Sequence, residues 1–168
     1  MNKKVQILIG VIVILLVGSL MYFKTNPPLD IRGYSANAKQ AGSFTNIEEN
    51  QFVIVANPEN KAFANIILKE ILVNSNKKPN RVELGVSRSN YMVMVSEVLG
   101  DTNEGISFHE LGEYPIKPIS IVESEEIDSD AIKNYGIAVF NDEKINSLII
   151  KYSFLGIPFE KELDLKRD

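Results

Sequence analysis

The chain has 168 residues, enough for one apolar helix and one domain of ordinary size. It contains no cysteine, which excludes a disulfide framework, a thiolate nucleophile and a Cys-ligated metal. The net charge of −4 is unfavourable for binding to nucleic acid, so we expect no nucleic-acid partner.

The first predicted element is an uncharged run that begins at Val5 and ends at Phe23. A helix over residues 5–23 is about 28 Å long, which matches the hydrocarbon thickness of a bilayer. Lys3 and Lys4 precede the run, and the positive-inside rule then leaves residues 1–4 in the cytoplasm. The sequence therefore predicts a single-pass signal anchor in the cell membrane, surrounded by membrane lipid, with the rest of the chain outside.

Cleavage of this segment is the alternative. Signal peptides end in a small-residue site close to their apolar region. The A-x-A sequence nearest to the run is at residues 36–38, well past its end. An uncleaved anchor fits this spacing better, and cleaved secretion stays open.

Residues 24–46 are rich in Pro, Gly, Asn, Ser and Ala and show no sustained periodicity. Two consecutive prolines, Pro27 and Pro28, favour an extended start after the helix. We interpret this segment as a linker between the anchor and a domain over residues 47–168.

Short apolar or alternating runs separated by polar turns follow in the domain and predict strands. They cover residues 51–56, 81–87, 91–95, 106–111, 116–121, 135–140, 147–154 and 157–165. The runs at 81–87 and 91–95 are predicted to form a hairpin across a short polar turn. The run at 116–121 is predicted to be an edge strand because it is flanked or interrupted by prolines.

Residues 61–74 fit two structures. Asn57, Pro58 and Glu59 would begin a helix well, and the apolar residues at 63, 66, 67 and 71 form a helical stripe. Alternation and a high β-branched content favour a strand instead.

Eight or nine short strands with few helix signals predict an antiparallel immunoglobulin-like β-sandwich. The disulfide and core tryptophan of antibody domains are absent, since the chain has neither Cys nor Trp. The pattern resembles the general architecture of bacterial membrane-tethered β-sandwiches.

Few residues indicate chemistry. His109 is the only histidine, so no H-E-x-x-H zinc motif exists, and no G-x-S-x-G sequence accompanies it. We therefore predict no catalytic residue and no cofactor. The acidic run offers candidate calcium ligands, although its spacing does not fit an EF-hand and a solvated loop explains it more simply. These candidates are Glu123, Glu125, Glu126, Asp128 and Asp130.

The predicted function is that of a membrane-anchored extracytoplasmic module acting through protein contacts, with an unidentified envelope protein as its partner. Two alternatives stay open. One is a hydrolase with an unrecognised site built on a serine or a carboxylate. The other is a ligand-sensing subunit of a membrane complex.

Overall fold

The computed structural model describes residues 3–37, 51–98, 105–124, 128 and 130–165. Within these ranges, one long helix is followed by two antiparallel sheets of eight strands in all. The elements are α1 (Lys3–Thr25), β1 (Leu29–Asn37), β2 (Phe52–Asn60), β3 (Ile66–Val73), β4 (Arg81–Ser87), α2 (Val95–Val98), β5 (Ile106–His109), α3 (Ile119–Ser124), β6 (Asn134–Asn141), β7 (Ser147–Phe154) and β8 (Ile157–Asp164).

The strands are arranged in the orders β1-β2-β6-β4-β5 and β3-β7-β8. Both sheets contribute buried side chains to one core, which includes Leu84 and Ile137 from the first sheet and Ile150 and Phe154 from the second. Strand β7 is buried at every second residue, as its alternating sequence predicts. Strand β6 is buried on both faces, because the smaller sheet covers Ile137 and Val139 on one face and a second cluster with Val93 covers Ala138 and Phe140 on the other. The predicted antiparallel β fold is confirmed at this level.

The ambiguous segment at 61–74 contains a strand, β3, which pairs with β7. Pro58 does not begin a helix there. It lies within β2 and pairs with Ile31. The register of β1 against β2 shifts directly afterwards, between Ile31 and Gly33. Pairing with β7 therefore determines the secondary structure of a segment whose local sequence fits both a helix and a strand.

The predicted hairpin of 81–87 with 91–95 is wrong. Strand β4 pairs with β5 and β6 instead, and the chain after β4 crosses the outer face of the larger sheet before entering α2. Val93 is fully buried there, in a second small core with Val55 and Phe140. A run of alternating apolar residues can therefore bury one of its sides against the face of a sheet without pairing with a neighbouring strand.

The predicted edge strand at 116–121 is also wrong. Ile116 and Pro118 make single bridges to Ile66 and Asn60, and α3 begins directly afterwards. The Pro118 carbonyl accepts a hydrogen bond from the Val122 N–H at 3.1 Å. Proline at the start of a short helix needs no N–H partner.

The linker predicted at 24–46 contains strand β1, an edge strand paired with β2 from Leu29–Asn60 to Asn37–Val53. Leu29 is fully buried in the core. Only three residues therefore separate α1 from the larger sheet. The remainder of the predicted linker, 38–46, lies outside the described residues.

Helix α1 is long and apolar enough to span a membrane, and its apolar window is not buried by the rest of the described chain. Its last turn is closed by the Asn26 N–H, which donates to the Tyr22 carbonyl at 2.8 Å. The helix contacts the domain through Phe23, whose ring lies 5.0 Å from that of Phe154 between centroids.

Candidate binding cleft

A cleft of about 520 Å³ opens where two neighbouring strands stop pairing. Strands β2 and β6 are paired from Phe52–Asn141 to Ala56–Ile137. Beyond this point β2 continues to Asn60 while β6 extends back to Asn134, and the cleft lies between these two ends. Its volume falls in the range of small-ligand and peptide sites.

The cleft walls combine apolar, amide and charged side chains from five separate parts of the chain. The apolar residues are Pro58, Met92, Ile116, Ile119 and Val122; the amides are Asn57, Asn60, Asn90 and Asn134; the remaining residues are Arg32, Glu59, Lys117, Glu123, Lys133 and Tyr135. Such a mixture suits a ligand with both apolar and polar groups.

One wall is fixed by the buried amide of Asn60. Its Nδ2 donates to the carbonyls of Ala64 and Ile116 at 2.8 and 2.9 Å, and its Oδ1 accepts from the Ala62 N–H at 2.9 Å. The side chain is almost fully buried, so each of these bonds satisfies a group that water does not reach. Asn60 therefore joins the end of β2 to the segment that leads into α3.

The floor is held by a second buried amide, Asn57. With its nitrogen turned towards two carbonyl oxygens, the amide donates to Val93 at 3.1 Å and to Tyr135 at 3.2 Å. The Tyr135 hydroxyl in turn accepts from the Lys117 N–H at 3.2 Å. These bonds connect β2 and β6 to the segment after β4, through Val93, and to the segment before α3, through Lys117. The cleft is therefore part of the rigid frame of the domain.

Charge within the cleft is partly neutralised. Arg32 Nε donates to Glu59 Oε1 at 2.6 Å, so this basic residue and this acidic residue form a pair. The other charged lining residues are Lys117, Lys133 and Glu123, which leave the site with a small positive excess. The chain as a whole has a net charge of −4, so the charge of the cleft is opposite in sign to that of the chain.

Beside the cleft, the segment that contributes Asn90 and Met92 to its lining exposes three large side chains, which we call the Tyr–Met rim and define as Tyr91, Met92 and Met94. Tyr91 is 67% exposed and Met94 is 49% exposed, while Met92 also lines the cleft. Val93, between the methionines, is buried beneath them. This surface was not predicted from the sequence, because residues 91–95 were assigned to a strand. A signal was present, since the run has more apolar residues than one buried face requires.

The single histidine lies outside the cleft, on the edge strand β5. Its Nε2 is 2.8 Å from Ser107 Oγ and its Nδ1 is 3.2 Å from Glu113 Oε1. This order of hydrogen bonds is that of a Ser–His–acid triad. However, Ser107 and His109 are on one face of the same strand, and Glu113 follows in the next turn, so local chain geometry alone brings the three together.

The candidate calcium ligands are only partly within the described residues. Glu123 ends up in α3 and lines the cleft, and Asp128 Oδ1 accepts from the Asp130 N–H at 2.9 Å. Glu125 and Glu126 lie outside the described residues. In the ranges that the structure describes, no three His, Cys, Asp or Glu side chains are grouped so as to hold a metal ion.

Asp30, near the start of β1, is the carboxyl group whose pKa is most strongly shifted among the residues that the structure describes. It pairs with Lys61, and Lys161 Nζ lies 3.4 Å from its Oδ1. The hydrogen bond from Lys61 lowers the pKa of Asp30 to about 2. The carboxylate joins β1, the loop after β2, and β8, which is a structural role.

The cleft could not be recognised from any one segment, and the residues that line it match no sequence motif. Comparison of the chain with protein-family models, curated proteins and solved structures finds no match.

Proposed function

We propose that the protein is a single-pass membrane protein whose immunoglobulin-like domain lies outside the cytoplasm. We further propose that this domain is an accessory module that binds an envelope protein through the cleft and its Tyr–Met rim.

The strand order supports the immunoglobulin-like assignment. In constant-type immunoglobulin domains the two sheets have the orders A-B-E-D and C-F-G. Strands β1, β2, β6 and β4 correspond to A, B, E and D, and strands β3, β7 and β8 correspond to C, F and G. Strand β5 is then an addition at the edge, next to β4.

The composition of α1 and its flanks supports the membrane topology. The helix has 23 residues and presents apolar side chains on all sides, as a lipid-exposed helix does. Lys3 and Lys4 precede its apolar run, and basic residues favour the cytoplasmic side.

The observation that carries the binding role is the exposure of the Tyr–Met rim beside the cleft. Tyrosine and methionine are enriched in protein interfaces, and methionine adapts its shape to a partner. The rim lies on a segment anchored by buried Val93, so its residues are held in place while their side chains stay exposed. A preorganised apolar rim lowers the entropy lost on binding.

A photocrosslinking experiment in intact membranes tests the binding role. A benzophenone amino acid replaces Tyr91 in the full chain, and the matched control replaces Lys144, an exposed residue in the turn between β6 and β7. We expect one discrete adduct from position 91 and none from position 144. We also expect Met92→Asp to remove the adduct from position 91.

Equal adducts from both positions would mean non-specific encounter and would contradict the proposal. Absence of any adduct from position 91 in membranes of the native host would contradict it too.

A further inference from the structure

The end of the domain nearest to α1 carries exposed apolar side chains on two separate loops. Phe63, between β2 and β3, is 70% exposed, and Leu155, at the tip of the β7–β8 hairpin, is 58% exposed. Ile157, the first residue of β8, is also exposed. We call these three residues the apolar tip.

Aromatic contacts join the apolar tip to the last turn of α1. The ring of Phe154 lies 5.0 Å from that of Phe23 and 5.6 Å from that of Phe63, between centroids. Phe63 and Phe23 are 6.5 Å apart. Because Phe154 directly precedes Leu155, both loops of the apolar tip are beside the end of the helix.

The backbone fixes the loop of Phe63 in this position. The Lys61 N–H donates to the Pro28 carbonyl at 2.9 Å, and the Lys61 ammonium pairs with Asp30. Pro28 is the last residue of the passage between α1 and β1, and Asp30 is the second residue of β1. The loop is therefore attached to the point at which the helix meets the domain.

The turn at the hairpin tip is unusual in its sequence. Phe154 and Ile157 are paired, so Leu155 and Gly156 form a two-residue loop, with φ of 51° and 78°. Two positive φ values define a type I′ turn, in which Asn-Gly is strongly preferred. A leucine in this conformation is strained, and its side chain is apolar in an exposed turn.

The other non-glycine residues with a positive φ in the described ranges show what an ordinary exposed turn uses. They are Asn74, Ser75 and Asn76, in the turn between β3 and β4 at the opposite end of the smaller sheet. Within the described residues, Leu155 is the one apolar side chain in this conformation. An outlier of this kind at an exposed tip indicates a function for the side chain.

We propose that the apolar tip inserts into the interfacial region of the bilayer that α1 spans, so that the domain lies directly on the membrane. This inference depends on the membrane-spanning role of α1 proposed above. Aromatic and aliphatic side chains partition into the interface, and the apolar tip is continuous with the helix that enters the lipid. The lipid bilayer is thus the occupant of this surface.

Depth-dependent fluorescence quenching tests the inference, and the cysteine-free sequence makes labelling simple. Single cysteines are introduced in the full chain as Phe63→Cys, Leu155→Cys, Val13→Cys and Asp142→Cys, and each is labelled with a small environment-sensitive fluorophore. The proteins are reconstituted into phosphatidylcholine vesicles with or without a lipid that carries a quencher near its headgroup or in its acyl chain. Position 142 is the matched control, because its exposed turn lies at the opposite end of the domain from the hairpin tip.

We expect strong quenching of labels at 63 and 155 by the headgroup-proximal quencher, quenching at 13 by the acyl-chain quencher, and none at 142. If position 13 is not quenched, α1 is not inserted and the proposed topology is wrong. If position 13 is quenched while 63 and 155 behave like 142, the topology holds and the inference about the apolar tip is overturned.

A second variant separates membrane contact from folding. Leu155→Asn supplies the residue that the turn prefers, so the domain does not lose thermal stability. It removes the apolar side chain, and we expect it to reduce the quenching of a label at position 63. Unchanged quenching together with unchanged stability would contradict the role of Leu155.

Discussion

Val93 lies directly on Gly136, so closely that a Cβ atom at position 136 would be 2.5 Å from the Cβ of Val93. Gly136 is paired across the sheet with Gly85, which also faces Val93. The two glycines leave a depression in the larger sheet, and Val93 fills it. This contact holds the segment that carries the Tyr–Met rim against the sheet.

Gly136→Ala should destabilise the domain by about 1–3 kcal/mol, because the added methyl group overpacks the contact with Val93. Chemical denaturation in mild detergent measures the change. Gly33→Ala is the matched control, since no atom lies within 4 Å of a Cβ built there, and its effect should stay within about 0.5 kcal/mol. Equal losses in both variants would mean that glycine flexibility, rather than Val93, determines the effect.

Asn60→Leu should destabilise the domain by about 2–3 kcal/mol, because the Ala62 N–H and the carbonyls of Ala64 and Ile116 each lose a hydrogen-bond partner. It should also weaken crosslinking from position 91, since Asn60 fixes a wall of the cleft. Thermal melting and the crosslinking yield are the two measurements. Asn80→Leu, at an exposed position, controls for the change of side chain, and a comparable loss there would refute the role of Asn60.

Asp30 should make stability depend on pH in the acid range. The pKa of Asp30 is lowered from 3.8 to about 2 by its hydrogen bond with Lys61, so the folded state favours the carboxylate. The resulting stability is fully present above pH 3.8 and is lost as the pH falls towards 2. Since the side chain is 39% exposed, solvent screening limits the contribution to about 1 kcal/mol.

Asp30→Asn should therefore lower the free energy of unfolding at pH 7, and the difference from the wild type should shrink between pH 4 and pH 2. Unfolding curves across this range measure it. Asp142→Asn, at an exposed turn, is the control for general acid effects. A difference that stays constant down to pH 2 would show that Asp30 stabilises the fold by something other than its charge.

Ser107 should not react as a catalytic nucleophile, although its Oγ is 2.8 Å from His109 Nε2. We expect a fluorophosphonate probe to label the wild type and Ser107→Ala equally. The reason is that the three residues belong to one edge strand and its following turn, away from the cleft. Labelling that disappears in Ser107→Ala and in His109→Ala would instead restore the hydrolase alternative.

Strands with a clearly alternating sequence were predicted well. Strands β4 and β7 match their predicted ranges; β7 buries every second residue, and β4 is buried from Leu84 to its end at Ser87. Strand β1 was missed, since it is an edge strand with Gly33 and several polar residues, and only pairing with β2 makes it a strand. The run at 91–95 was misassigned because alternation does not distinguish pairing in a ladder from burial on a sheet face.

The cleft was not predictable from the sequence for a different reason. It depends on the point where β2 and β6 separate, and this point is set by pairing between residues about 80 positions apart. Among the candidate ligands that the structure describes, Glu123 is the one that lines the cleft, and it was predicted from an acidic run that suggested a metal. Val122 and Lys133 line the same cleft, and this apolar and basic lining is unlike the oxygen-rich surroundings of a calcium ion.

The three-residue passage between α1 and β1 is the place where a protease could separate the helix from an intact domain. A cut between Thr25 and Leu29 would leave all eight of the described strands in the released fragment. A cut after Ala36 would instead remove most of β1, together with the buried Leu29. The shed product would then expose one side of β2, whose central residues are buried, and such an apolar edge pairs readily with other chains. Cleavage at that later position would thus convert a stably folded domain into an aggregating one.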